Sequence, residues 1–528
     1  MRRQVNSRHL SFPAISLVVT FFLGQLALLG VGDSSAVVAN AGGDAAAPAT
    51  DKTGNLYVSD EKCERCHREP LKGDNDPRDD DGGKPRTYFF KMTEYPTWSE
   101  KDKHSLAYGV LDSTKNEASR QIGRLMGIKP QTDGRCLSCH SLNCGDSQCQ
   151  KVLSRELKKL GVACQACHGP ASKWVEDHDE PDAWRKKLTR EEKKERGMTE
   201  LRDPVTRADK CLSCHLGNPR EGKVVTHEMY AAGHPPVSGF EVENYLQAMP
   251  AHWVPEDRQP PELQKQYGYQ ADETMRQTRH MAIGGLVAIR EYARLIGYYA
   301  HVRLPADNIA ARGGKSSAGG TELGVYDCQA CHHELTLPSW RQARGYRNHP
   351  GRPASRTWPL ILGKVGLAAS GEQRVSVFQA LQSLDEALDW QPFGDPARVE
   401  AASTRVEEAT QKAIENLDRK QWDGNTGIEL AREICNIGAT ELLDYESSRQ
   451  LGWAFEVIRK EHPKLQHDAE VEKLANVLRS GLALQIPQQR EAVMNHSVPQ
   501  TLAASSSYRP DKFSQTWAGL RKLLRPAK

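Results

Sequence analysis

The stretch Cys164-Gln165-Ala166-Cys167-His168 follows the pattern CxxCH, and this pattern recurs four more times along the chain. The other copies are Cys63-Glu64-Arg65-Cys66-His67, Cys136-Leu137-Ser138-Cys139-His140, Cys211-Leu212-Ser213-Cys214-His215 and Cys328-Gln329-Ala330-Cys331-His332. Two thiols at this spacing lie on one side of a short helical turn, where they can form thioether bonds to the two vinyl groups of a haem. The histidine that follows then ligates the iron from one side. The pattern predicts five covalently bound haems c, with His67, His140, His168, His215 and His332 as the proximal ligands.

Two other uses of paired cysteines fit this pattern less well. A zinc ribbon uses two CxxC pairs but has no need of a histidine directly after each pair. A thioredoxin-type redox pair needs no such histidine either, and it would not recur five times. Covalent haem attachment is therefore the interpretation that explains every residue of the motif.

Three of the thirteen cysteines lie outside the motifs. A wider attachment site at Cys144 and Cys149 would need a histidine at position 150, where Gln150 stands, so the sequence predicts no sixth haem. In an exported chain a local disulfide between Cys144 and Cys149 is favoured over two free thiols. Cys435 lies on the apolar face of a predicted helix and is interpreted as a small buried side chain.

The second ligand of each iron separates an electron carrier from a catalyst. A haem with histidine on both faces is saturated and moves electrons, whereas an open face can bind and transform a substrate. Nine histidines outside the motifs lie near the haem segment, which is enough for five distal positions. The predicted distal ligands are His104, His178, His227, His234 and His280, and the reserves are His252, His301, His333 and His349.

Local sequence gives each predicted distal ligand a context. Ser99 is a plausible N-cap of a helix that contains His104, and Trp174 precedes His178 by one helical turn. His227 and His234 are seven residues apart, hence two turns along one helical face, and Pro235 is expected to end that helix. His280 opens a long apolar helix that is expected to run to about Val302. A surface or hydrogen-bonded histidine remains the alternative for each of them.

The N-terminus has the composition of an export signal. Arginines at positions 2, 3 and 8 precede an apolar run from Ala14 to Val31, and Ala39-Asn40-Ala41 supplies a small-residue cleavage pattern. Residues 1–41 are therefore predicted to be a signal peptide, and the protein to be periplasmic or otherwise extracytoplasmic. An uncleaved N-terminal anchor is the alternative, because an apolar run of this length is at the short limit of a membrane-spanning helix.

The rest of the chain divides into a haem region and a helical region. Residues 42–54 form an Ala/Gly-rich linker, 55–350 hold the five motifs, and 355–528 show amphipathic periodicity. Asp395 and Pro396 are expected to cap a helix, with others at about 372–390, 427–444, 447–460 and 467–485. The predicted fold class is all-α: a multihaem scaffold with little regular sheet, followed by a C-terminal helical bundle. The net charge of +3 excludes binding to nucleic acid driven by overall charge.

The run Gly161-Val162-Ala163-Cys164-Gln165-Ala166-Cys167-His168-Gly169-Pro170-Ala171 is similar to the GVxCxxCHGPA segment of the cytochrome c-554 family. The segments 226–235 and 328–334 also resemble its exported bacterial relatives, and the similarity covers about residues 55–350. The resemblance implies a mostly helical scaffold around closely stacked haems and an activity in electron transfer. Smaller family members carry four haems, so ligand assignments do not carry over as a set.

In haem density the chain also resembles the wider hydroxylamine oxidoreductase and pentahaem nitrite reductase class. Nitrite reductases usually attach the catalytic haem through CxxCK, whereas all five motifs here end in histidine, and hydroxylamine oxidoreductases carry eight haems. The predicted function is an exported pentahaem cytochrome that transfers electrons between redox partner proteins. The alternatives are a haem enzyme that reduces or oxidises a small nitrogen or sulfur compound at a five-coordinate iron, and a docking subunit of a larger redox complex.

Overall fold

The computed structural model describes residues 55, 57–68, 91–142, 159–179, 184, 187–237, 239–259, 261–266, 269, 274–304, 322–332, 349, 351–486 and 508–525. In chain order the helices of these residues are α1 Glu61–His67, α2 Glu94–Lys101, α3 Glu117–Met126, α4 Gly134–His140, α5 Cys164–His168, α6 Arg190–Glu195, α7 Pro204–His215, α8 His227–Ala232, α9 Val242–Ala248, α10 Pro261–Gln266, α11 Arg276–His301, α12 Trp358–Ala368, α13 Gln373–Asp389, α14 Pro396–Arg419, α15 Gly424–Thr440, α16 Tyr445–Glu461, α17 Pro463–Gln466, α18 Ala469–Gly481 and α19 Pro510–Leu523.

The prediction of an all-α fold is confirmed. Over the described residues the structure contains no strand, and the β-type pairing includes the isolated bridges of Asn218 with Lys223 and of Tyr326 with Ser355. Residues 42–528 form one compact unit. Within the described part of the chain, no helix combines the length and the apolar character that crossing a membrane requires.

The long helix α11 lies at the centre of the apolar core. Its side chains Met281, Ile283 and Leu286 are fully buried, and it packs against α7, α12 and α14. Gly285 allows α12 to approach closely, because a Cβ at that position would lie 2.7 Å from the backbone carbon of Leu362. The helix thus joins the motif-bearing segments to the C-terminal helices.

The C-terminal helices follow the predicted pattern. Asp395 caps α14 by accepting a hydrogen bond from the backbone N–H of Arg398, and Pro396 occupies the first turn. One apolar face of this helix lies in the core, with Val399, Ala402 and Val406 buried. Cys435 is fully buried in α15, where burial raises the pKa of its thiol.

Four of the five CxxCH motifs occupy the C-terminal ends of helices. The helices α1, α4, α5 and α7 each end at the motif histidine. The fifth motif begins with the 3₁₀ turn Cys328–Ala330. Each motif therefore adopts the short helical turn that places both thiols on one side.

Two local predictions were wrong. Ser99 lies inside α2 and caps nothing; the cap that precedes His104 is Asp102, whose carboxylate accepts from the His104 N–H at 3.0 Å and opens a 3₁₀ turn. Helix α8 also ends earlier than Pro235 implied. Gly233 closes it with φ of +111°, so His234 lies just beyond the helix and not on the same helical face as His227.

Several predictions fall outside the described residues. These are the signal peptide at 1–41, the linker residues 42–54, the pair Cys144 and Cys149, and the reserve ligand His333.

Candidate haem-binding site

Each of the five motif histidines faces a second histidine from elsewhere in the chain. The ring-centroid separations are 6.2 Å for His67–His178, 6.4 Å for His140–His234, 6.2 Å for His168–His252, 6.4 Å for His215–His104 and 6.3 Å for His332–His227. The ten rings form five separate pairs, each with one proximal candidate. This pairing is the main geometric feature of the site.

The separation is nearly constant over the five histidine pairs. The interplanar angles of the five pairs range from 17° to 89°, yet the separations stay within 0.2 Å of one another. Other ring contacts spread more widely, from 4.1 Å for Phe240 on His215 to 6.4 Å for Trp174 with Trp184. Two imidazole nitrogens bonded at about 2 Å to one metal hold their ring centroids about 6 Å apart at any rotation about the metal–nitrogen axis. The pairs therefore fit iron held between two histidines.

Hydrogen bonds to Nδ1 fix the tautomer of five of these rings. Nδ1 lies 3.0 Å from the Glu94 carboxylate in His67, 2.9 Å from the Asp102 carboxylate in His104 and 2.9 Å from the Ala107 carbonyl in His140. In His178 and His234 the partners are the carbonyls of Val175 and Pro235, both at 2.7 Å. Because carbonyl and carboxylate oxygens only accept, Nδ1 carries the proton and Nε2 keeps its lone pair for a metal.

Burial keeps several of these imidazoles neutral. It lowers the pKa of His168 to about 4, of His215 to about 3 and of His234 to about 4. A ligating imidazole must be unprotonated, so these rings are competent ligands at neutral pH. His104 differs: burial is the largest single effect and would lower its pKa, but the hydrogen bond to Asp102 and the negative charge of that carboxylate together raise the pKa.

The structure places His280 and His252 differently from the sequence-based ranking. The Arg207 guanidinium donates to His280 Nδ1 at 2.9 Å, and Glu243 lies 3.6 Å from the same nitrogen. Since a guanidinium can only donate, His280 Nδ1 accepts and Nε2 carries the hydrogen, which leaves no free lone pair. No contact with a motif histidine was found for His280 among the described residues. The partner of His168 is His252, one of the reserves.

The other described reserves hold carboxylates. His301 Nδ1 lies 2.9 Å from Glu400, and His349 Nδ1 lies 2.5 Å from Asp389. Both link the haem region to the helices α13 and α14. Neither is paired with a motif histidine.

The cysteines of different motifs also approach one another. We number the motifs as site 1 (63–67), site 2 (136–140), site 3 (164–168), site 4 (211–215) and site 5 (328–332). Cys63 and Cys164 lie within 4.8 Å of each other together with an Asp60 oxygen. Cys139 and Cys214 are within hydrogen-bonding reach, and Cys167 interacts electrostatically with Cys211. Asp60, Cys63 and Cys164 could hold a metal ion as free ligands, but thioether formation would remove both thiolates.

Site 3 shows why its flanking sequence has the form GVACQACHGPA. Gly161 and Gly169 have φ of +77° and +86°, and a Cβ at either would lie within 2.7 Å of a backbone oxygen, from His104 and Gly197 respectively. The Gln165 amide is buried, donates to the Val58 carbonyl at 2.7 Å and accepts from the Val58 N–H at 3.0 Å. The segment therefore joins sites 1, 3 and 4.

Residues 62–169 match the family model described as cytochrome c554 and c-prime. No curated protein and no solved structure matches the chain. The match spans sites 1 to 3 and confirms the resemblance to the cytochrome c554 family. The matched family suggests a c-type cytochrome of electron transfer and implies haem c as the cofactor; the resemblance to the wider hydroxylamine oxidoreductase class stays a prediction.

Sequence reasoning ranked His252 too low because it lies between helices, in Pro250-Ala251-His252, where no periodicity marks a face. It also missed Glu94 and Asp102, the carboxylates that orient His67 and His104. Asp102 had a usable signal, since an acidic residue two positions before a histidine can cap the turn and bond the ring. Glu94 had none, because it comes from a separate helix.

Proposed function

We propose that the chain attaches five haems covalently, each with histidine on both faces, and transfers electrons between redox partner proteins. The proposed proximal and distal pairs are His67 with His178, His140 with His234, His168 with His252, His215 with His104, and His332 with His227. The observation that carries this proposal is the set of five uniform ring separations. Haem supplies reversible one-electron chemistry when bound.

The same observation favours a carrier over a haem enzyme. An enzyme of this class needs at least one open iron face for its substrate. Every motif histidine has a second histidine opposite it at 6.2–6.4 Å, which supports saturation of all five irons. The alternative of a small nitrogen or sulfur compound as substrate has no comparable observation in its favour.

The contacts between sites support a linear order of sites 1, 3, 4, 2 and 5. Site 1 meets site 3 through Cys63 and Cys164, and the electrostatic interaction between the thiols of Cys167 and Cys211 supports site 4 as the next neighbour of site 3. Site 4 meets site 2 through Cys214 and Cys139. Helix α8 and the residues that follow it bring site 2 and site 5 together, because His234 faces site 2 and His227 faces site 5. Sites 1 and 5 would then be the ends at which partners exchange electrons.

We also propose that residues 1–41 direct export and that attachment takes place outside the cytoplasm. Cationic, apolar and small-residue segments in that order support this proposal. The mature protein would then act in the periplasm or another extracytoplasmic compartment.

Electron paramagnetic resonance of the oxidised protein, combined with its intact mass, tests the proposal. We expect a mass increase of five haem units and low-spin signals alone, because histidine on both faces gives six-coordinate low-spin iron. A protein expressed without residues 1–41 should carry no covalent haem. A high-spin signal would favour the enzyme, and fewer haem units would remove a site.

A further inference from the structure

Arg356 is a buried cation beside site 5. Arg356 is only 8 % exposed, and its backbone N–H donates to the Tyr292 hydroxyl at 2.6 Å. That hydroxyl in turn donates to the Val325 carbonyl at 2.6 Å, three residues before Cys328. These bonds fix the start of α12 against the segment that leads into site 5.

The Arg356 side chain has no carboxylate partner among the described residues. Its Nε atom is buried without a hydrogen-bond partner. The remaining contacts are weak: Nη2 lies 3.5 Å from the Tyr230 hydroxyl, and the guanidinium lies 5.8 Å from the centre of the Tyr230 ring. A buried charge is costly unless it is paired and hydrogen-bonded, so this environment calls for an anion.

The position of Arg356 connects it with two proposed haem sites. Desolvation by the surrounding protein raises the pKa of the Cys328 thiol. The positive charge of Arg356 is near enough to act in the opposite direction and lower that pKa. Arg356 is therefore close to site 5. On its other side, the Tyr230 ring that it contacts lies 6.2 Å from the ring of His234, which faces site 2.

We propose that Arg356 binds a propionate carboxylate of the haem attached at site 5. This inference rests on the proposed function, because it requires a haem at that site. A guanidinium presents two parallel N–H groups to a carboxylate, a geometry that suits a propionate at the edge of a porphyrin. Pairing the propionate with a buried cation also favours the reduced haem, because the cation cancels negative charge near the iron. Arg356 is thus a positioning residue that raises the reduction potential of one terminal haem.

Potentiometric titration of Arg356→Gln in the full holoprotein tests this inference. We expect five covalent haems, one of which has a lower reduction potential than in the parent protein, because its propionate charge is no longer compensated. Arg356→Lys keeps the charge but not the paired N–H groups, so its shift should be in the same direction and smaller. Arg459→Gln is the matched control: Arg459 is buried in α16 but paired with Glu456 at 3.1 Å, and its loss should leave every haem potential unchanged.

Two further variants separate the possible ligands. In a chain without haem 5 (Cys328→Ser with Cys331→Ser), adding Arg356→Gln should shift no potential; a remaining shift would assign Arg356 to the haem of site 2 and overturn the proposal. Glu334→Gln tests the carboxylate that the sequence places after site 5. If Glu334→Gln reproduces the effect of Arg356→Gln, or if neither Arg356 variant shifts a potential, the inference is wrong. A parent protein with four haems would instead contradict the proposed function.

Discussion

A histidine can ligate iron only through a ring nitrogen that carries no hydrogen, and the partner of the other nitrogen decides which one that is. Oxygen acceptors at Nδ1 of His67, His104 and His234 leave Nε2 free. A guanidinium donor at Nδ1 of His280 has the opposite effect. The deciding partner is adjacent in sequence for His234 but distant for His280, since Arg207 is 73 positions from it.

Replacing His252 and His280 separately tests the assignment at site 3. His252→Met should raise the potential of one haem by about 0.1 V, a fraction of the ~0.8 V that axial ligation spans, because a thioether stabilises oxidised iron less than imidazole. His280→Gln should leave all haem potentials unchanged. It should lower the free energy of unfolding by about 1–3 kcal/mol, because it disturbs the buried contacts of Arg207 and Glu243.

Potentiometry and denaturant unfolding provide both measurements on the same preparations. His349→Gln serves as the control, since His349 is an exposed reserve that bonds Asp389, and its loss should shift no haem potential. A potential shift in His280→Gln together with none in His252→Met would reverse the assignment.

At the scale of single elements, short helices do most of the positioning. The motif helices α1, α4 and α5 are five to seven residues long and end at the ligating histidine. Helices of this length are not stable alone, so hydrogen bonds to distant parts of the chain must hold them, as Gln165 holds α5 to Val58, which precedes α1. Their position could be predicted from the motifs, whereas their mutual arrangement could not.

Helix α8 and its C-terminal residues serve two different sites. Thr226 caps the helix, and the N–H of His227 donates to Glu322 at 2.7 Å, which draws this end towards site 5. Gly233 then reverses the chain and directs His234 towards site 2. The sequence predicted both histidines as distal ligands, but on one continuous helical face, because Gly233 was not considered as a helix end.

His227→Met and His234→Met should each raise the potential of a different haem, by about 0.1 V in each case. The haem of site 5 should respond to His227→Met and the haem of site 2 to His234→Met. Potentiometric titration of each single variant and of the double variant measures this, and the double variant should show both shifts. One shifted haem common to both single variants would refute the assignment to two sites.

At the scale of the molecule, the fold class and the C-terminal helices were accessible from sequence because periodicity and caps are local. Asp395 and Pro396 predicted the start of α14. The order of the sites was not accessible, since chain order gives 1, 2, 3, 4, 5, whereas the contacts give 1, 3, 4, 2, 5. The contacts between Cys63 and Cys164 and between Cys139 and Cys214 depend on how the loops return, which no local pattern encodes.

This order makes site 4 an internal connection and site 1 an end. Removing haem 4 with Cys211→Ser and Cys214→Ser should leave four haems in two groups, sites 1 and 3 and sites 2 and 5. Removing haem 1 with Cys63→Ser and Cys66→Ser should leave four haems in one uninterrupted series.

After a pulse delivers less than one electron per molecule, redistribution of that electron should reach all four haems in the variant without haem 1. It should stop within each pair in the variant without haem 4, because electron transfer slows steeply once a neighbouring haem is missing. Time-resolved absorption after pulse radiolysis measures this, with intact mass to establish four haems in each variant. Equal redistribution in the two variants would contradict the linear order.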